Sequence, residues 1–240
     1  MIRIFDNEEE VANEIAREMK DRLINDQHPV FCLASGSTPQ KSYQKFSNDA
    51  DLQSKIKRLH IVSLDEWVGI DKSSEGSCYQ MLNQDLFSQI SLDGSQIEFF
   101  NGTSPDIEQE CLRMDRFIEQ HPITFSLMGV GMNGHIGLNE PGGPVLNRSS
   151  VVELSETTKI VAQKYFLKQT ELKQGITLGL EQIASSKRVV VVITGERKAA
   201  IVKEILTNPD AQLPAQRLLG YEHIDFYLDA AAAKYIDQSS

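Results

Sequence analysis

Cysteine is scarce in this sequence. Cys32, Cys78 and Cys111 are the only three in 240 residues, they fall in different segments, and no Cys-x-x-Cys pair occurs. A disulfide framework and a zinc site are therefore not expected, nor is any other metal centre. Reduced thiols fit a cytoplasmic protein. Long apolar runs are missing too. None reaches the roughly 18 residues of a membrane span, and residues 1–20 lack the apolar core of a signal peptide. Positive charge is not in excess: 24 Lys and Arg face 34 Asp and Glu, a net charge of −10. That balance argues against nucleic acid or a membrane surface as partner. It leaves room for a small anionic ligand, which local fields and backbone N–H groups can hold. No internal repeat, linker or low-complexity stretch is present. What remains, 40 % apolar and 24 % charged residues, suits a single α/β domain with its own core.

Apolar strands alternate with amphipathic helices along the chain. Met1–Phe5 reads as a short strand. Asn7 caps the helix that follows, with Glu10 completing a capping box, and Val11, Ile15, Met19 and Leu23 form its buried stripe. Val30–Ala34 is a buried strand, after which Thr38 reads as an N-cap and Pro39 as the first residue of a helix. His60–Leu64 is another strand. Residues 77–90 read as helical, with Met81, Leu82, Leu86 and Ile90 inward. Ile97–Phe100 is a strand, and Ser104 and Pro105 open a helix with the stripe Ile107, Cys111, Met114 and Phe117/Ile118. Thr124–Met128 is a strand, Glu156–Phe166 a helix, and Ile176–Leu180 a strand or ordered loop. Arg188–Thr194 is the clearest buried strand. It is followed by an apolar-periodic helix over Ala199–Leu206 that ends at Asn208-Pro209, a last strand at Ile224–Leu228, and an alanine-rich helical tail. This rhythm predicts an open, doubly wound, mostly parallel sheet with helices on both faces, Rossmann-like and in one domain.

The chain is organised around residues 129–143, Gly-Val-Gly-Met-Asn-Gly-His-Ile-Gly-Leu-Asn-Glu-Pro-Gly-Gly. Six glycines in fifteen residues permit left-handed turns and close approach to a ligand. His135 and Glu140 lie among them. Other polar clusters also follow apolar strands: Ser35-Gly36-Ser37-Thr38-Pro39, Asp65-Glu66-Trp67 and Gly195-Glu196-Arg197-Lys198. In an open parallel sheet such ends converge on one crevice. Ser35–Thr38 offers hydroxyls and backbone N–H groups suited to a phosphate monoester, or is a plain strand–helix turn. Lys198 can add a positive charge to the same anion, or is a solvated lysine. Asp65, at a strand end, is placed for partial desolvation and so for a general base; otherwise it caps the next segment. Glu66 points away from it if the segment is extended. His135 needs a partner for its tautomer, and a tight glycine turn brings Glu140 within reach. His60, His121 and His223 are read as non-catalytic.

On these residues the sequence resembles the glucosamine-6-phosphate deaminase/isomerase family. The matching pieces are 33–39, 64–69, 131–142 and 195–198, and Gly-His-Ile-Gly-Leu-Asn-Glu-Pro is the most specific of them. The related 6-phosphogluconolactonases have a similar Gly-His loop, typically without Asn-Glu-Pro. Asp-Glu-Trp and residues 175–180 look closest to the galactosamine 6-phosphate branch.

The resemblance implies an aldose–ketose isomerisation with deamination. A hexosamine 6-phosphate becomes a ketohexose 6-phosphate and ammonia, with no metal or organic cofactor. It implies that Asp65 moves the proton from C2 to C1 and that His135 opens the pyranose ring, with Glu140 and Asn133 orienting it. Asn133 is uncharged where some members carry aspartate. The resemblance places the 6-phosphate on Ser35, Gly36, Ser37, Thr38 and Lys198. Lys164 stands where well-studied members have an arginine, keeping the charge but losing the bidentate fork. The segment after Gly143 and the short end of the chain speak against allosteric activation. Residues 144–175 are the expected active-site lid, and a homo-oligomer is compatible with the family. The competing readings are a 6-phosphogluconolactonase-type hydrolase, disfavoured by Asp65 and Asn139-Glu140-Pro141, and a non-catalytic sugar-phosphate sensor, disfavoured by the acidic charge and by a chain that opens on a strand.

Overall fold

The structure, a computed structural model, describes residues 1–49 and 52–236. In chain order the elements are β1 (Ile2–Phe5), α1 (Glu8–Asn25), β2 (Val30–Leu33), α2 (Gln40–Ser47), α3 (Gln53–Ile56), β3 (His60–Ser63) and β4 (Asp65–Trp67). Then come α4 (Cys78–Leu82), β5 (Ile97–Glu98), α5 (Ile107–Gln120), β6 (Phe125–Gly129), β7 (Ser150–Glu153), α6 (Glu156–Ala162) and β8 (Gln174–Thr177). The last are α7 (Leu180–Ala184), β9 (Val189–Ile193), α8 (Ala199–Thr207) and β10 (Ile224–Asp229).

Seven strands form one all-parallel sheet in the order β1-β10-β9-β6-β2-β3-β5. From β2 the chain builds outward through β3 to β5, then returns to the other side of β2 and builds through β6, β9 and β10. The direction of winding therefore reverses between β2 and β6. Crossovers that leave in opposite directions open a crevice at the carboxyl ends of those two strands. The Ser35–Pro39 loop and the glycine loop of 129–143 start there.

Strand residues alternate between the two faces, and each face has its own core. Phe31, Leu33, Ile61, Leu127, Val190 and Val192 pack under α1, α2 and α4, against Ile15, Met19, Leu23, Tyr43, Phe46 and Leu82. Cys32, Val62, Met128, Val189 and Val191 pack under α5, α7 and α8, against Met114, Ile183, Val202 and Ile205. A strand covered on both sides has no solvent face, which is why these strands read as largely apolar runs, with Ser63 and Ser126 buried among the apolar side chains. The stripe expected on α1 is buried throughout. Asn7 caps α1 by accepting the Glu10 N–H at 3.0 Å. The return bond of the box lands one residue early, on Asp6 N–H.

A second, antiparallel sheet, β4-β8-β7, stands beyond the end of β3. Three- and four-residue strands carry too little periodicity to be read in advance, and the expected 176–180 element divides between β8 and α7. With α6 this sheet encloses a small core of Trp67, Cys78, Leu138, Leu154, Ala162 and Leu172.

Other expectations shift locally. Helix α2 begins at Gln40 with Pro39 in the cap position, and no side chain caps it; Thr38 stays in the turn. Beyond α4 the chain makes a π-helical turn at Asn83–Phe87. Leu82, Leu86 and Ile90 are buried as expected, whereas Met81 is half-buried. The alanine-rich segment 230–236 forms turns rather than a helix. There the Asp229 carboxylate takes the Ala232 N–H as well as that of Gly195, tying the chain back onto the sheet. Residues 237–240 of that expected helix lie outside the described residues. Among the described residues no helix is long and apolar enough to cross a membrane.

Candidate active site

Four strand ends contribute to one cavity of 180 Å³. The loop after β2 supplies Ser35, Gly36, Ser37 and Thr38 to its wall. Gly36 has a φ of 99°, a left-handed value that disfavours a side chain. A Cβ there would also come within 2.9 Å of the Tyr165 hydroxyl.

Asp65 is the first residue of β4, where the chain leaves the parallel sheet for the antiparallel one. Its carboxyl group is pushed up to about 7, first by burial and then by the charge of Glu66, while the Cys78 thiol pulls the other way. Glu66 faces away from the cavity and is fully buried. It accepts the Ser77 hydroxyl at 2.7 Å and the backbone N–H groups of Trp67, Cys78 and Tyr79 at 2.9, 3.0 and 3.1 Å. These bonds anchor the start of α4, whose Cys78 and Met81 line the cavity beside Asp65. The two adjacent carboxylates thus face different surroundings, as their alternation in an extended segment predicts.

The glycine loop seats His135. A Cβ on Gly131 would overlap the imidazole ring, so only glycine leaves the ring its place. His135 Nδ1 lies 3.2 Å from Thr158 Oγ1 and 3.6 Å from Glu140 Oε2. Asn133 donates to Glu140 Oε2 at 2.8 Å and to Ser155 Oγ at 3.2 Å, and its own carbonyl accepts the His135 N–H at 3.3 Å. Ser155 N–H donates to Glu140 Oε1 at 3.2 Å. Burial alone would raise the Glu140 carboxyl, but the His135 imidazole beside it, together with Thr158 and Asn133, outweighs burial and holds it at about 2. His135 lines the cavity; Asn133 and Glu140 stand behind it and reach the cavity only through it.

After β9, Gly195 turns the chain at φ 87° and Lys198 enters the cavity wall. Its Nζ donates to the Val130 carbonyl. Burial, with the charge of Lys164 next, pushes the Lys198 ammonium down to about 8. Lys164 also lines the cavity, its Nζ 4.7 Å from the ring centroid of Tyr165. Glu196 turns outward and pairs with Lys234.

Ser35, Gly36, Ser37, Thr38, Lys164 and Lys198 therefore share one cavity with Asp65 and His135. It combines hydroxyls and two cations with a carboxyl group poised near neutrality and an imidazole. Such a set can hold a dianion and move protons on the rest of the same molecule. Ser155, Thr158, Cys78 and Tyr165 are site residues that sequence reasoning missed, whereas Trp67 lies in the cluster already marked at Asp65-Glu66-Trp67. A faint signal existed for one: Ser155 immediately precedes the expected helix at Glu156, and it caps α6 by accepting the Thr158 N–H at 3.2 Å. Among the described residues no group of His, Cys, Asp and Glu is placed to hold a metal ion.

Comparison with known proteins agrees with the geometry. Residues 6–225 match the family model for glucosamine-6-phosphate isomerases/6-phosphogluconolactonase. A glucosamine-6-phosphate deaminase of Bacillus pumilus is 34 % identical over 95 % of this chain and 96 % of its own. One of Streptococcus uberis is 31 % identical over 99 % of both. Among solved structures, a monomeric glucosamine-6-phosphate deaminase superposes with a TM-score of 0.90 at 30 % identity, over 97 % of this chain and 98 % of the other. A 6-phosphogluconolactonase from Trypanosoma brucei shares the fold, with a TM-score of 0.75 at 21 % identity. The three deaminases carry the glucosamine name, and nothing in them singles out the galactosamine branch. The chain belongs to the glucosamine-6-phosphate deaminase family of enzymes.

Proposed function

We propose that the protein converts an amino-sugar phosphate, glucosamine 6-phosphate first among them, to the ketohexose 6-phosphate and ammonia. The observation that carries this reading is the shared cavity: an anion cradle at one end, Asp65 and His135 at the other. The phosphate sits against Ser35–Thr38 with Lys198 and Lys164. His135 takes the anomeric hydroxyl proton and returns one to the ring oxygen, opening the pyranose. Asp65 removes the proton from C2, giving an enolamine, and delivers it to C1. Water hydrolyses the resulting C2 imine, releasing ammonia and leaving a ketone. A carboxyl group near 7 suits a base that must both take and return a proton close to neutral pH. Residues 144–175, which contain β7 and α6, form the cover over the bound sugar.

The test is ammonia release with glucosamine 6-phosphate and galactosamine 6-phosphate side by side. Release from the glucosamine substrate with the higher kcat/KM supports the proposal. A preference for the galactosamine substrate would keep the chemistry and change the sugar. No ammonia from either, with hydrolysis of 6-phosphogluconolactone, would overturn it.

A further inference from the structure

We infer that Thr158, held by Ser155, is a positioning residue that fixes the tautomer of His135, so that helix α6 carries part of the acid–base machinery. The inference rests on the reading of His135 as the ring-opening group. Its ground is the hydrogen-bond geometry on the far side of the imidazole. Of the two groups facing His135 Nδ1, the Thr158 hydroxyl at 3.2 Å is within hydrogen-bond distance and the Glu140 carboxylate at 3.6 Å is not. The direct partner of the imidazole is thus a neutral hydroxyl from another element, not the acidic residue of its own loop.

The direction of each bond can be followed. Ser155 Oγ accepts from Asn133 Nδ2 and from Thr158 N–H, and its single proton goes to Thr158 Oγ1 at 3.1 Å. A hydroxyl has one proton and two lone pairs. With one lone pair of Thr158 taken by Ser155, its proton can turn to His135 or toward Glu140, whose carboxyl Thr158 helps to hold low. An ionised carboxylate accepts only, so it is the natural end of the chain. The remaining lone pair of Thr158 then faces Nδ1, and His135 must bring the proton. The opposite assignment would leave a bare Nδ1 lone pair directed toward the Glu140 oxygen and deprive that oxygen of a donor. The network therefore selects the Nδ1–H form and leaves Nε2 free to accept the proton of a sugar hydroxyl.

The same helix extends to the phosphate end. Beyond α6 a turn at Gln163–Tyr165 carries Lys164 into the cavity wall and the Tyr165 hydroxyl to the vicinity of Gly36. One short element thus spans the two ends of the cavity. A phosphate seated at Lys164 holds the element that presents Thr158, and remote binding energy is used to align the proton-transfer group.

The experiment compares Thr158→Val, which keeps the shape and removes the hydroxyl, with Thr158→Ser, which keeps the hydroxyl. Steady-state kinetics on the hexosamine phosphate would be paired with 15N NMR of the His135 ring in the free protein. We expect Thr158→Val to lower kcat by about 100-fold, within the range of a positioned proton transfer, with KM changed by less than about threefold. The ring nitrogens should report Nδ1–H in wild type and a mixture of tautomers in Thr158→Val. Thr158→Ser should restore kcat to within about threefold and recover the wild-type ring spectrum. Wild-type kcat and an unchanged ring spectrum in Thr158→Val would overturn the inference. Equal losses in the valine and serine variants would overturn it too, since a packing role of the methyl would then suffice. If wild type releases no ammonia from any amino sugar, the proposed function fails, and the ring spectra alone decide whether Thr158 sets the tautomer.

Discussion

Replacing Asp65 by asparagine should destroy turnover and, above neutral pH, make the protein more stable. The Asp65 carboxyl group lies at about 7 in the folded protein against an ordinary 3.8. At about 1.4 kcal/mol per pH unit, that gap is worth at most about 4 kcal/mol. The sign follows from linkage. Below pH 3.8 the group is protonated in both folded and unfolded chains and contributes nothing. As pH rises, the unfolded chain ionises first and is favoured by it. The stability present at low pH is lost progressively, and the loss is complete once pH passes the folded value near 7. Asparagine cannot ionise, so the variant escapes this loss. Thermal unfolding of both proteins at half-unit steps from pH 4 to pH 8.5 should show curves that nearly coincide at pH 4 and diverge to a plateau above pH 7. For a chain of this size the plateau is roughly 8 to 16 °C at the upper bound. A variant that is less stable at pH 8, or a difference that does not change with pH, would refute the reasoning. A carboxyl group held near neutrality, as the role proposed for Asp65 requires, is destabilising where it stands, a common exchange of stability for activity.

Glu140→Gln should act in the opposite sense. Its carboxyl group at about 2 against an ordinary 4.5 stabilises the fold above pH 4.5, and that contribution is lost as pH falls toward 2; denaturation at pH 7 should show a loss of up to about 3 kcal/mol that shrinks in acid. Lys198, at about 8, is fully charged only below that pH, so the inhibition constant of inorganic phosphate should rise above pH 8. Lys164→Met should move that break to higher pH, because the Lys164 charge helps to depress Lys198, and an unmoved break would separate the two lysines. Gly131→Ala places a methyl group where the His135 ring stands. Its kcat should fall about 100-fold while phosphate still inhibits with a near wild-type constant.

Much of this molecule is legible before any coordinates. Val30–Leu33, His60–Ser63, Phe125–Gly129 and Val189–Ile193 read as strands of a parallel sheet, because burial on both faces favours short runs so largely apolar. In such a sheet the strand ends that carry the clusters at Ser35, Asp65, His135 and Lys198 converge on one crevice, although the strand order that puts the reversal of winding beside β2 appears only in the fold. Other features were decided only by the tertiary structure. The antiparallel sheet is built from strands of three and four residues, shorter than any pattern can mark, and Asp65–Trp67 becomes a strand only because β8 lies alongside. Ser155 and Thr158 are ordinary residues at a helix start, and nothing local ties them to the loop of Asn133 and His135, which stand more than twenty positions before their respective partners. The packing of α6 against the glycine loop brings them together. The ionisation of Asp65 is likewise a property of its surroundings, since the same carboxyl group on an open loop would be fully charged at neutral pH. The chain sequence determined which groups were available and at which strand ends they stand. Burial and the meeting of distant segments, which depend on the whole fold, decided which of them touch and in what protonation state.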